Sequence, residues 1–240
     1  MKKYILLIIF LFNLFNLPLY AYEDELFKIS DKFWTVEKQE DKSYVLNMKD
    51  FLETDELIVP RIEVAVLDGE KDVYTYLQKT DETLKNTKKF VEDKIFKDKV
   101  NTFRELLTEA VKGEKYKHLS NDEAKGLVEN LCNTSKMGEA YYKDIGKNTA
   151  IFVDFTIGPA QKYKFIEIIT LTKTYVLLLV YSEGTNIDDL DQYKDFLATF
   201  EPKDGQGSYA NAFLHANWLI ILVIAGVAIK KYFDYKNSVS

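Results

Sequence analysis

Two apolar segments, Tyr4 to Leu17 and Phe213 to Ile229, bracket a chain that is otherwise charged and globular in composition. They leave residues 22–204 for the folded body and assign both ends to lipid. Lys2 and Lys3 precede the first run, and Pro18 and Leu19-Tyr20-Ala21 follow it. This is the order of a secretory signal peptide over residues 1–21, with a small residue last. The bulk of Leu19 at the processing site leaves an uncleaved anchor as the alternative. No Cys follows the run, so a lipoprotein anchor is not expected.

The second run, residues 213–229, holds 17 residues. At about 1.5 Å each they span about 25 Å, near the hydrocarbon thickness of a bilayer once flanking residues are added. A single spanning helix is expected, because no polar stripe interrupts Trp218 to Ile229 as it would in a soluble helix. Trp218 and Tyr232 stand where interfacial aromatics belong, and Lys230 and Lys231 follow the run directly; these four are the expected membrane-anchor residues. The positive-inside rule keeps the lysines in the cytoplasm, which places the tail 230–240 inside and the body outside. Lys2 and Lys3 give the same orientation. Ala212 and Ala216 form a small-xxx-small pair, the pattern of a helix that can form a homodimer in the membrane. The location read from this is a bacterial inner (cytoplasmic) membrane, single-pass, with the domain on the periplasmic side. The abundance of Lys, Ile, Asn, Tyr and Phe fits a bacterium with an AT-rich genome.

Removing Lys2, Lys3, Lys230, Lys231, Lys236 and Asp234 from the 32 basic and 38 acidic residues leaves 27 and 37, a formal charge of −10 on the exported part. That balance argues against nucleic acid as a partner, which needs clustered positive charge. Cys132 is the only cysteine, so no intramolecular disulfide forms and the core must hold without staples. Its neighbours Leu127, Val128 and Leu131 fall at helical spacing, which reads Cys132 as a small buried hydrophobe rather than a catalytic thiol.

Along the body, LFKIS, WTVEKQ, SYVLNMK and RIEVAVLD between Glu25 and Asp68 read as strands, with Asp41-Lys42 at a hairpin tip. Lys71 to Lys112 contains neither Gly nor Pro, and Phe96, Val100, Phe103, Leu107 and Val111 recur at helical spacing; one or two helices are expected. The stripe is thin from Thr80 to Lys89, which predicts that this part is exposed, with a solvated face, or projects from the body. Ser120-Asn121-Asp122-Glu123 is a capping box that opens a helix running to about Cys132. MGEAYYKD, TAIFVDFTI, KYKFIEIITLT and TYVLLLVYS follow as strands, with turns at Gly146-Lys147-Asn148 and Gly158-Pro159-Ala160. YVLLLVY is apolar on both faces and predicts a central strand covered on each side. Asn186 to Phe200 closes the body as an amphipathic helix with Asp188, Asp189 and Asp191 at its positive end, a placement that capping and dipole complementarity account for. Residues 205–212 form a short linker. The expected class is α/β (α+β), an α/β/α sandwich with a mainly antiparallel sheet plus one C-terminal transmembrane helix.

This order resembles the PsbP-like family. Phe33-Trp34-Thr35-Val36, Arg61 to Asp68, and the closing run from Phe165 to Phe200 with YVLLLVYSEGTNIDDLDQYKDFLATF carry the resemblance, which extends over about Leu26 to Phe200. It implies an α/β/α sandwich and an accessory or assembly role without catalysis. Some members contact metals through carboxylates or His, but no such motif stands in this chain, so no ligand is carried over. The long charged helical insert and the membrane anchor depart from the simplest members, and with them any photosynthetic role.

The motifs of common enzymes are missing: HExxH, GxSxG, SxxK, GxxxxGK[ST] and GxGxxG do not occur, and His118 and His215 are the only histidines. Neither catalytic nor cofactor nor metal residues are predicted. Asn186, Asp188, Asp189 and Asp191 have the density of a calcium site but sit at a helix start, and Asp50, Glu53, Asp55 and Glu56 read as a solvated loop. The function expected is a membrane-anchored exported binding domain, an accessory or assembly factor for another envelope protein. The alternatives are a membrane-tethered hydrolase using carboxylates and a sensor or ligand-carrier subunit. A deep pocket with convergent carboxylates distinguishes the enzyme, and a flat apolar patch beside the sheet or on the 71–112 helices distinguishes binding.

Overall fold

The computed structural model describes residues 21–40, 42–49, 59–68, 78–170 and 172–203. The signal segment up to residue 20, the linker, the membrane segment with Trp218, Lys230, Lys231 and Tyr232, and the acidic group Asp50, Glu53, Asp55 and Glu56 lie outside the described residues. Among the described residues no helix is long and apolar enough to cross a membrane.

The body is a mixed α/β fold with two antiparallel sheets. Its strands are β1 (Tyr22–Glu23), β2 (Phe27–Ile29), β3 (Trp34–Glu40), β4 (Ser43–Met48), β5 (Arg61–Asp68), β6 (Lys136–Ile145), β7 (Asn148–Ile157), β8 (Gln161–Ile169), β9 (Lys173–Ser182) and β10 (Glu201–Pro202). Seven of them form one sheet in the order β3-β4-β5-β9-β8-β7-β6, and β1-β2-β10 form a small second sheet. Two meanders, β3 to β5 and β6 to β9, therefore meet along the β5–β9 seam. Between them run the helices α1 (Asp81–Phe90), a π-helical segment Val91–Phe96, α2 (Lys97–Ala110) and α3 (Asn121–Cys132). The closing helix is α4 (Asp191–Thr199).

Alternation along the strands decides which side chains go to which face. Tyr175, Leu177 and Leu179 on β9 and Ile62, Val64 and Val66 on β5 join Phe152, Ile166 and Ile168 in a core closed by Tyr193, Phe196 and Phe200 and by Phe27 and Ile29 of the small sheet. Trp34 is buried there, and its Nε1 donates to the Gln192 carbonyl at 3.1 Å, tying the first strand of the large sheet to the start of the closing helix. The Tyr175 hydroxyl donates to the Leu26 carbonyl at 2.7 Å, so β9 is also pinned to the small sheet. On the opposite face Val153, Phe155, Tyr163, Phe165 and Val180 pack under Val91, Ile95, Phe96, Val100 and Phe103 of the insert.

The expected strands and the Ser120–Glu123 capping box are present. Three expectations change. LFKIS supplies β2 of the small sheet and not a strand of the main one. The Thr80 to Lys89 stretch is exposed at Asp81, Glu82, Lys85, Asn86 and Lys89 as expected, but it does not project: Thr87 of α1 is buried, its hydroxyl donates to Glu167 at 2.9 Å, and Leu84 packs on Ile151 and Ile169. It is α2 that stands on the outside, with none of its residues fully buried and Leu106 63% exposed. The thin apolar stripe misled because α1 lies on a sheet that is itself rich in Ile and Phe, so few helical hydrophobes suffice to seal it.

Candidate functional site

The rows of the large sheet locate an opening. Reading across the register, Val45, Glu63, Leu178, Phe165 and Val153 lie in one row, and Ser43, Ala65, Val176, Glu167 and Ile151 in the next. All point to the insert side. Phe165, Val153 and Ile151 are fully covered there, whereas Leu178, Val176, Ala65 and Val45 are half-buried. The helices thus cover β7 and β8 and stop over β9. The central strand, expected to be sealed on both faces, is sealed on the α4 face and, on the insert face, buried at Val180 but only half-buried at Val176 and Leu178.

The result is a groove of about 410 Å³ between the helical wall and the open half of the sheet. Val45, Ala65, Val176 and Leu178 form its floor, and Ile95, Lys94, Asp98 and Lys99 its wall. The wall comes from the π-helical segment and the first turn of α2. A π segment inserts extra residues per turn and so resets which side of the following helix faces the sheet. Phe96, Val100 and Phe103 lie on the core, Ile95 both packs on it and lines the groove, and Asp98 and Lys99 face the groove. Gln39, Ser43 and Glu63 complete the rim, and Glu63 accepts from Arg61 at 3.3 Å. Among the described residues, Lys94, Lys99 and Asp98 make no ion pair.

A second group of polar side chains lies on the other face, under the start of α4. Lys164, whose side chain is 6% exposed, reaches Asp154 at 3.3 Å and Asp188 at 3.2 Å. Lys143 reaches Asp188 at 3.4 Å, and the Tyr141 hydroxyl donates to Asp154 at 3.0 Å. Burial pushes the Tyr141, Tyr181 and Tyr193 phenols up, and the nearby aspartates add to this. Burial also raises Asp188, but Lys164 and then Lys143 outweigh it and hold the carboxyl below its usual range. Two carboxylates and two ammoniums make this group neutral. It is a closed network that fastens the turn Ile187–Asp189 to the sheet.

Of the acidic residues expected at the positive end of the closing helix, Asp191 lies in its first turn as expected, while Asp188 and Asp189 act differently. The helix begins at Asp191 with Leu190 as its N-cap and no side-chain cap hydrogen bond. Asp188 instead reaches down to Lys164, and Asp189 accepts from Asn186. Among the described residues no group of three or more His, Cys, Asp or Glu could hold a metal ion. Cys132 is buried, and burial raises its thiol. Lys164 carried a legible signal, since a lysine on the parity of Ile166 and Ile168 must find carboxylates. The groove carried none, because a π-helical offset leaves no mark in an apolar pattern.

No protein-family model matches the chain, and no curated protein matches it. Among solved structures, it is similar to a protein from Bacteroides thetaiotaomicron VPI-5482, with 9% identity and a TM-score of 0.39 over 78% of this chain and 49% of that one. The chain thus spans about half the length of that protein, and a likeness of this size carries no argument about either molecule.

Proposed function

We propose that this chain is a membrane-anchored binding module of the bacterial envelope, an accessory or assembly factor whose exported domain holds another envelope protein. The observation that carries the reading is the groove beside the sheet, with its floor of Val45, Ala65, Val176 and Leu178. Apolar side chains left half-open at the centre of a sheet cost solvation that a partner recovers. An arrangement of helices against both faces of one antiparallel sheet is compatible with the PsbP-like α/β/α sandwich and its non-catalytic role. The apolar segment 213–229 would hold the domain close to the bilayer, on the periplasmic side of the inner membrane, with Trp218, Lys230, Lys231 and Tyr232 at its margins.

Crosslinking in native membranes, affinity purification of the full-length protein and mass spectrometry test this. A stoichiometric envelope protein is expected with the unaltered chain and is lost with Val176→Trp, which fills the floor of the groove. Recovery of the chain alone, or of the same partner from both proteins, contradicts the proposal.

A further inference from the structure

We infer that the domain meets the bilayer surface with its small sheet, so that the groove opens away from the membrane. The inference rests on the proposal that the chain is membrane-anchored and adds which face the lipid headgroups touch.

The small sheet gathers both ends of the described body. β1 and β10 flank β2, with Glu23 and Glu201 each opposite Lys28. Lys203 reaches Glu23 at 2.7 Å, so an ion pair joins the point where the chain enters the body to the point where it leaves. The two faces of this sheet differ. Phe27, Ile29 and Pro202 are buried toward the core, whereas the outer row holds Glu23 and Glu201, both exposed, with Lys28 between them. With Lys203 the outer face carries two carboxylates and two ammoniums, which suits contact with headgroups and resists insertion into hydrocarbon.

The groove lies on the other side of the same strands. On β4 the Tyr44 ring meets Phe27 with centroids 4.9 Å apart, and on β9 the Tyr175 hydroxyl donates to the Leu26 carbonyl. The next residues along those strands, Val45 and Val176, line the groove. Successive side chains of a strand point to opposite faces, so small sheet and groove stand back to back across one layer of sheet.

Chain length then decides which of the two faces the lipid. Residues 204–212 separate Lys203 from the apolar run at Phe213, and reach at most about 35 Å. A body of about 180 residues has a radius of gyration of about 16 Å, so the way round it from one face to the other is about 60 Å. A groove turned to the bilayer would put Lys203 on the far side, beyond that reach. Where the first apolar segment is retained, residues 18–21 reach only about 17 Å and lead into β1 of the same sheet.

The test uses the full-length protein reconstituted in vesicles that carry a lipid with a nitroxide on its headgroup. In a Cys132→Ala background a thiol-reactive fluorophore is placed at Lys28→Cys or Glu201→Cys on the small sheet, at Lys99→Cys on the groove wall, and at Leu106→Cys on α2. Cooperative melting of each labelled protein establishes that it is folded. Quenching is expected at residues 28 and 201, and full intensity at 99 and 106. Equal quenching at all positions, or stronger quenching at 99 or 106, overturns the inference and leaves the anchor in place. Absence of quenching everywhere also overturns it, and flotation separates the causes: a protein that floats with the vesicles refutes this orientation alone, whereas one that stays behind refutes the anchoring as well. Recovery of a partner by crosslinking, and its loss with Val176→Trp, is independent of every one of these results.

Discussion

Lys164 stands on a strand position whose parity belongs to the core, between Ile166 on its own strand and Leu179 across the ladder. Its ammonium is tolerated because Asp154 and Asp188 meet it from two elements. Lys164→Met removes the charge that separates those carboxylates and should cost about 1–3 kcal/mol at neutral pH, less than a fully buried pair because both aspartates are about half exposed. The pH dependence follows from the direction of the Asp188 shift. A carboxyl held low in the folded state contributes stability above its unfolded pKa, which is lost as pH falls through the folded value. The gap in melting temperature between the two proteins should thus be constant from about pH 6 to 8 and narrow below about pH 4. A gap that persists unchanged in acid would show that Lys164 acts through packing alone.

At the scale of elements, Gly158 marks one of the places where the insert meets the sheet. It sits in the left-handed region at φ +59°, in the turn between β7 and β8, and an added Cβ would run into the Phe103 ring of α2. Gly158→Ala therefore meets both backbone strain and overpacking, and a loss of about 2–4 kcal/mol is expected in chemical denaturation. A loss under about 0.5 kcal/mol would mean that Phe103 does not anchor α2 there. The Gly-Pro-Ala turn was legible in the sequence; that its glycine makes room for an aromatic ring of a distant helix was not, since sequence periodicity carries no information on which helix lands where. The same limit applies to α2. Val100, Phe103 and Leu107 give it a readable apolar stripe, yet the π-helical segment before it decides how that stripe meets the sheet, and so which residues remain for the groove.

For the molecule as a whole, the strands were readable because each shows period-two alternation or a continuous apolar run bounded by turn residues. The order of the large sheet was readable in part: the late meander follows from short connections, and β9 as a central strand follows from YVLLLVY. The seam between β5 and β9, separated by more than a hundred residues of chain, rests on contacts that no local pattern encodes. The groove arises at that seam, where the half of the sheet made before the insert meets the half made after it and the helices cover only the latter.

The claim that the seam is a binding surface is tested most directly by placing a photoreactive amino acid singly at Val45 or Ile95, which line the groove, and at Leu106, which is exposed on α2. Irradiation of cells should give one discrete adduct of the same partner from the two groove positions, none from Leu106, and none from any position when Val176→Trp is present. Equal labelling at all three positions, or groove adducts that survive Val176→Trp, would contradict the account.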